Sequence, residues 1–271
     1  MKYKVIVWLG SDFTQYLISY FLQNRIDCEL YAIVDTTSKI NFTDNNSRFN
    51  SDGVQFVINP YDEFALTKAM ILKESLGGTV TIITVGNIVV EPVMRKALAI
   101  GADKAVRINM TPTDSYSTAS EIANFLKEKP FDLIIAGKES IDYNGGAVPG
   151  IIAELMNLPL INACIGLEVS GKSAKLKREI DGGQEIVSAE FPLIIGGQKG
   201  LVEESELRIP NMRGIMQARS KPLDVIEPLA DTTLTVSMSF EKPPEKGACK
   251  LVDSDNVAEL VSLLRNEAKV I

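Results

Sequence analysis

The sequence predicts an α/β protein. A mostly parallel sheet with helices on both faces is followed by antiparallel strands and an extended C-terminal arm. Three observations carry this. Between residues 79 and 136, short β-branched runs alternate with amphipathic stretches, and strands alternating with helices of about 10–15 residues imply βα units and a parallel sheet. After residue 157 short strands are punctuated by Gly171, Gly182-Gly183 and Gly196-Gly197, which is hairpin-like punctuation. Residues 222–246 are proline-rich with alternating Val and Leu, a pattern of extended chain rather than helix.

The elements follow in order. Residues 4–9 read as a strand, 13–23 as an amphipathic helix and 29–34 as a second strand, together a βαβ opening. Residues 36–52 are polar, with Asn45-Asn46 and Asp52-Gly53 as turn signals, and read as an exposed excursion. Residues 60–74 form a helix: Pro60 suits its first turn, and Phe64, Leu66, Ala69, Met70 and Leu72 form its apolar side. Residues 79–85 are a strand ending at Gly86, and 92–100 a helix closed by Gly101. A strand at 105–108, a helix at 117–129 and a strand at 133–136 lead into the loop of residues 137–150. The helix after it carries Ile151, Ile152, Leu155 and Met156 on one face. Residues 163–169, 174–179, 185–190 and 193–195 are read as antiparallel strands, and 210–219 as a short helix. Residues 256–266 close the chain as a helix with Val257, Leu260, Val261 and Leu264 on one face. An extended arm in so apolar a chain calls for a partner to lie on.

Composition narrows the chemistry. At 271 residues, 45% hydrophobic and 23% charged, the chain can bury a substantial core. A net charge of −7 argues against a nucleic-acid surface. Cys28, Cys164 and Cys249 have no metal-binding or disulfide spacing and are read as buried thiols in a reducing compartment. There is no histidine. Ser-His-Asp and Cys-His nucleophiles and His-ligated zinc are thereby excluded, and no catalytic or metal-ligating set is expected. The apolar start is interrupted by Ser11, Asp12, Thr14 and Gln15, so neither a secretory signal nor a membrane span is expected and the assignment is cytoplasmic.

The functional signal lies in residues 132–155. A strand, a glycine-bearing loop and a helix put backbone N–H groups at a helix N-terminus, where they favour an anion. The loop lacks both the G-x-x-x-x-G-K-[ST] and G-x-G-x-x-G patterns, and a plain βα connection explains it equally well. The binding reading rests on Lys138, Ser140, Asn144, Gly145 and Gly146 converging at one strand end. Asn59-Pro60-Tyr61-Asp62 opens another helix and reads alone as a cap, with Asn59 at N-cap and Pro60 at N1. Glu179-Ile180-Asp181, beside Gly182-Gly183, reads as a turn rather than an acid–base pair. Met212 to Met216 is either a covered helix face or a docking surface.

Taken in order, these segments resemble the beta subunit of electron transfer flavoprotein, including the FixA type. The carriers are NPYDEFALTKA from Asn59, ITVG from Ile83, RKALAIGADKA ending at Ala105, GKESIDYNGGAV from Gly137, KREIDGGQE from Lys177 and IPNMRGIMQARSKPL from Ile209. The proline-rich arm and closing helix complete the set. The likeness runs from about residue 35 to the C-terminus. Residues 1–34 stand apart as an atypical βαβ segment, 35–221 as the nucleotide-binding-like α/β domain, and 222–271 as an arm and helix packing on a partner subunit.

The resemblance implies an electron carrier rather than an autonomous enzyme, working as a heterodimer with an alpha subunit that holds the redox-active FAD. It implies AMP as a structural ligand here, or in bifurcating relatives a second FAD in the same pocket. The implied pocket is Asn59, Pro60, Tyr61, Asp62, Val85, Gly86, Gly137, Lys138, Glu139, Ser140, Ile141, Asp142, Tyr143, Asn144, Gly145, Gly146, Ala147 and Val148. It places an apolar anchor for acyl-CoA or other flavin dehydrogenases at Met212, and so a role in fatty acid oxidation. The chain departs from the family pattern in two places. Ala147-Val148 stands where many members have Gln followed by Val or Thr, which removes one side-chain donor. Tyr31 to Asp35 keeps the aspartate of the family's V-K-x-V-P-D segment but neither its lysine nor its proline. A stand-alone nucleotide-binding module is the remaining reading, and the arm and the KREIDGGQE segment speak against it.

Overall fold

A nine-stranded sheet runs through the larger part of the chain. The computed structural model describes residues 25–29, 32–35, 37–142, 144–229, 232–241 and 250–271, with backbone alone for 25–29. The strand and helix expected at 4–9 and 13–23 lie outside the described residues. β1 (Arg25–Glu29) is a central strand, hydrogen-bonded on both edges. β2 (Ala32–Val34) leaves that sheet. Next come β3 (Phe42–Thr43) and β4 (Arg48–Phe49), which pair with each other, and β5 (Phe56–Ile58), which pairs antiparallel with β2. The single strand expected at 29–34 is therefore two elements in different sheets. Arg25 to Glu29 alternates charged and apolar residues and carries little strand signal alone. Pairing on both edges overrides that weak propensity.

α1 (Pro60–Leu76), β6 (Thr79–Val85), α2 (Glu91–Ile100), β7 (Lys104–Ile108), α3 (Ser115–Leu126), β8 (Leu133–Gly137) and α4 (Val148–Met156) follow the expected rhythm. β9 (Leu160–Ser170), β10 (Ser173–Ile180) and β11 (Gly183–Glu190) form an antiparallel meander, and β12 (Leu193–Gly197) returns to the sheet. α5 (Met212–Ala218), β13 (Leu223–Ile226) and α6 (Val257–Ser262) complete the chain. The order across the sheet is β11-β10-β9-β12-β8-β1-β6-β7-β13. From β9 to β13 the neighbours are parallel; β10 and β11 extend the sheet antiparallel. Two expectations change here. β12 is parallel to both β8 and β9, and β13 uses the first residues of the extended stretch as an edge strand beside β7. Leu193-Ile194-Ile195 is buried on both faces, and such a continuous apolar run belongs to a covered parallel strand, not a hairpin arm.

Side-chain alternation explains the two helical layers. Val80 and Ile82, Leu133 and Ile135, and Leu193 and Ile195 face α1 and α2, where Leu66, Ala69, Met94 and Leu98 meet them. The alternate residues Ile83, Val85, Ile134 and Ile194 face α3 and α4 through Ile122, Leu126 and Ile152. This is the period of two along strands meeting the helical period of the covering layers.

The described chain divides into two compact units. One comprises the described residues to Asn41 with Asn50–Ser237; the other comprises Phe42–Phe49 and Met238–Ile271. In the smaller unit Phe42 stacks on Phe240 with ring centroids 5.3 Å apart, and the Asn46 carbonyl accepts from the Phe240 N–H at 2.7 Å. α6 starts at Asn256, whose side chain accepts from the Glu259 N–H. Its Val257, Leu260 and Val261 remain exposed within that unit.

In the larger unit the segment after β13 is strapped to α3. One oxygen of Asp114 caps α3 by accepting from the Ser117 N–H at 2.7 Å. The other accepts from the Leu234 and Thr235 N–H groups, each at 2.8 Å. Glu121 accepts from the Leu229 N–H at 2.7 Å. Burial alone would raise the Asp114 carboxyl. The N–H groups of Ser117, Thr235 and Leu234 and the Ser117 hydroxyl outweigh it and hold the carboxyl at about 2, against an ordinary 3.8.

A depressed carboxyl stabilises the fold fully above its unfolded value, and the contribution disappears as pH falls through the folded one. Asp114→Ala is expected to destabilise the chain by about 1–2 kcal/mol at neutral pH in urea unfolding. The stability difference between the wild type and D114N should shrink as pH drops from 4 toward 2. A difference that stays constant over that window contradicts the charged clamp.

Candidate functional site

The carboxyl ends of β1, β6 and β8 lie side by side, with β1 between the other two. From β1 the chain proceeds to β6 on one side and later returns to β8 on the other. Such a reversal opens a crevice between diverging connections, the usual ligand position in parallel α/β sheets.

Asn59 and Asp62 build one wall of that edge. Asn59 occupies the N-cap position of α1, with Pro60 in the first turn, but its side chain caps nothing. That corrects the expected capping role. The Asp62 N–H is already bonded to the Asn59 main-chain carbonyl at 2.9 Å, and Pro60 has no N–H to offer. The buried Asn59 amide instead reaches across the sheet end. Its Nδ2 donates to the Glu139 carbonyl at 2.8 Å and to Asp62 Oδ2 at 3.2 Å, and its Oδ1 accepts from the Ile141 N–H at 3.3 Å. Asp62 Oδ1 accepts from the Gly137 N–H at 2.6 Å. Both side chains are fully buried.

This approach leaves no room at Gly137. A Cβ there would lie 2.5 Å from Asp62 Oδ1 and 2.8 Å from Tyr61 Cβ. Beyond it the loop is stiffened from within. Ser140 and Gly145 exchange main-chain hydrogen bonds of 3.0 and 3.2 Å, and the Ser140 hydroxyl donates to Asp142. Asn144 takes a left-handed φ of 50°, a conformation that asparagine tolerates better than most residues. Tyr143 lies outside the described residues. The Lys138 N–H donates to the Gly197 carbonyl at 2.9 Å, which ties the loop to β12. Its ammonium lies 5.2 Å from the Tyr61 ring centroid and 3.7 Å from a Glu139 oxygen. After Gly146, α4 begins at Val148 with Ala147 at its N-cap and no side chain capping it. Among the described residues the first turn of α4 has no side-chain cap, an arrangement that suits an anion.

Val85 and Gly86 contribute shape rather than donors. Val85 is buried; the Gly86 N–H donates to the Ile108 carbonyl at 3.0 Å, and the Gly86 carbonyl accepts from Arg107 at 2.9 Å. Arg107 is a residue that sequence reasoning missed. Its buried guanidinium also bonds Glu91 and Asn109, and a lone arginine in the apolar run AVRI is the signal that marks it. Asn162 was missed as well. Its Oδ1 is buried against Gly196 with no hydrogen-bond partner among the described residues, and nothing in the sequence distinguishes it.

Elsewhere the chemistry is quiet. Among the described residues no cluster of three or more His, Cys, Asp or Glu side chains suits a metal, and no helix is long and apolar enough to cross a membrane. Burial pushes the Cys164 thiol up, which suits a packing residue rather than a nucleophile. Met212 lies away from the crevice, on α5 with 76% of its surface exposed. Ile209, just before it, is more exposed still at 85% and escaped the sequence reading as a candidate.

A largely parallel sheet whose switch point is closed by a glycine loop and an uncapped helix defines a nucleotide-binding-like α/β domain. The electron transfer flavoprotein domain model matches residues 48–231, and the chain belongs to the electron transfer flavoprotein family. It is 39% identical over 252 residues to the electron transfer flavoprotein subunit beta of Bacillus subtilis, covering 88% of this chain and 96% of that one. The subunit beta of Syntrophomonas wolfei is 32% identical over 241 residues, covering 87% and 94%. Protein FixA of Azotobacter vinelandii is 32% identical over 196 residues, 69% of each chain.

The Asn59 knot makes two expectations concrete. Gly137→Ala should destabilise the chain by about 1–3 kcal/mol through overpacking. Asn59→Ala should cost about 1–3 kcal/mol by leaving the buried Glu139 carbonyl and Ile141 N–H unpaired. Urea unfolding of both variants checks this; wild-type midpoints would show that the loop does not depend on the knot.

Proposed function

We propose that this chain is the beta subunit of a heterodimeric electron transfer flavoprotein, holding AMP structurally at the carboxyl edge of its sheet. Its alpha subunit holds FAD, which supplies the redox chemistry by taking up and passing on electrons. The observation that carries the reading is the buried Asn59–Asp62 contact with the 137–141 loop, set beside an uncapped helix N-terminus. The donor set fits a phosphate-bearing group: Lys138 brings a cation, and Gly146, Ala147 and Val148 bring main-chain N–H groups near the start of α4. Gly137 and Gly146 keep the loop close, since a Cβ on Gly146 would sit 3.1 Å from the Lys138 carbonyl. With alanine at 147, recognition falls to the backbone and Lys138. Asn59, Pro60, Tyr61 and Asp62 with Val85 and Gly86 shape the opposite walls.

The protein's part is therefore placement and electrostatics. Residues 222–271 pack on the alpha subunit in this reading, with the exposed face of α6 as part of the contact. Acyl-CoA dehydrogenases, or other flavin dehydrogenases, dock at Met212 and deliver electrons from fatty acid oxidation in the cytoplasm. A bifurcating subunit would instead hold a second FAD in this crevice.

Mass spectrometry and absorbance of the co-purified heterodimer test the assignment. One FAD and one AMP per heterodimer are expected. Two FAD without AMP select the bifurcating form, and a stable monomer with no affinity for an alpha subunit overturns the proposal. Met212→Ala should weaken dehydrogenase docking by about 1–3 kcal/mol and leave the nucleotide content unchanged; unaltered electron-transfer kinetics would remove Met212 from the docking role.

A further inference from the structure

Away from the crevice, α2 and α5 enclose a groove of about 520 Å³. One face of α2 supplies Pro92, Arg95, Lys96 and Ala99, at the i, i+3, i+4, i+7 spacing of a single helical stripe. The facing wall includes Ile215, Ala218 and Arg219 of α5 and its C-cap. The separation of the helices is fixed by Gly214. A Cβ on that residue would collide with the Ala99 carbonyl, so α5 lies against α2 only because position 214 has no side chain.

The charges on this groove are one-sided. Arg95 donates through Nη1 to the Ala218 and Lys221 carbonyls, each at 2.8 Å, which fixes its guanidinium plane. Among the described residues its other nitrogens make no ion pair. The Arg219 side chain makes no hydrogen bond or ion pair at all there. Lys96 alone is paired, with Glu63 at 2.9 Å. Among the described residues no carboxylate lines the groove, although the chain as a whole carries a net charge of −7. One fixed guanidinium and one without a partner among the described residues, beside an apolar floor, match a carboxylate carried next to an apolar side chain. The exposed Ile209, Met212 and Met216 lie on α5 or just before it, and Met212 shares the i, i+3 spacing of one helix face with Ile215, which lines the groove.

We propose that the α2–α5 groove receives an acidic, apolar-anchored loop of the dehydrogenase that docks on α5. Its carboxylate meets Arg95 and Arg219 while its apolar side chain packs on Ala99 and Ile215. This rests on the carrier-subunit reading and deepens it. Docking becomes reciprocal: this chain offers apolar anchors and takes in a charged loop. Charge reversal on such a rim acts on encounter and on salt dependence rather than on the electron-transfer step itself.

The test uses the FAD-loaded heterodimer as electron acceptor for an acyl-CoA dehydrogenase reduced by butyryl-CoA. Arg219→Glu should raise the apparent KM for the heterodimer about tenfold at low ionic strength, with kcat unchanged, and the difference should fade in high salt. Lys175→Glu, the same charge change on an exposed β10 position, should leave KM within about twofold, the size of a generic net-charge effect. A KM for R219E no higher than that for K175E overturns the groove proposal. If M212A weakens docking while R219E does not, the carrier reading stands and the groove is not the receptor. A wild-type heterodimer that the dehydrogenase does not reduce at all overturns both.

Discussion

The structure turns on a contact between two buried side chains and a loop 80 residues away. Asn59 and Asp62 leave the first turn of α1 and satisfy three main-chain groups, the Gly137 N–H, the Glu139 carbonyl and the Ile141 N–H. Unpaired, each would be a desolvated backbone group costing about 1–3 kcal/mol. Paired, they fix the direction in which the chain leaves β8, and hence where α4 begins. Because α1 packs on β8, β1 and β12, the knot also joins the covering layer to the sheet edge it closes. The shape of the crevice thus follows from a structural necessity, the pairing of buried main-chain groups.

That dependence explains which glycines are indispensable. Gly137 is required because carboxylate, amide and tyrosine Cβ crowd the space a side chain would occupy. Gly214 serves the same end where α5 meets the backbone of α2. In both places the absent side chain sets a distance between elements, and the functional groups inherit their placement from it. Polar strapping works alongside. Lys221 reaches the Leu98 and Ala102 carbonyls at the end of α2, and Arg95 reaches back to the end of α5. Cations at helix C-termini are favourable there.

Much of this was legible in the sequence, and the parts that were not share a cause. The run from α1 to α4 could be read because each element signals its own period: Thr79–Val85 is β-branched throughout, and Pro60 and Gly101 mark helix ends. β1 was misplaced because Arg-Ile-Asp-Cys-Glu signals no strand until β6 and β8 pair with it. β12 reads locally as a hairpin arm because its glycines resemble those of the true hairpins, β9–β10 and β10–β11. Its parallel partners come from residues 133–137 and 160–164, which local pattern does not reveal. Asn59 looked like a cap since its position is that of a cap; its actual acceptor and donor lie across the fold. Local chemistry writes itself into local sequence, and contacts of long separation do not.

The two candidate surfaces differ in how much order they hold in advance. At the crevice the side chains of Asn59 and Asp62 are buried and already paired, so the proposed nucleotide would meet a wall whose geometry is set and add contacts chiefly to the remaining N–H groups and Lys138. At α5 the apolar residues are exposed and the guanidinium of Arg219 has no partner among the described residues, so favourable free energy there is realised only on association. A tightly held structural ligand suits the first condition, because little ordering remains to oppose binding. The carrier role proposed above suits the second, since exposed apolar residues and rim charges favour fast capture while leaving affinity modest.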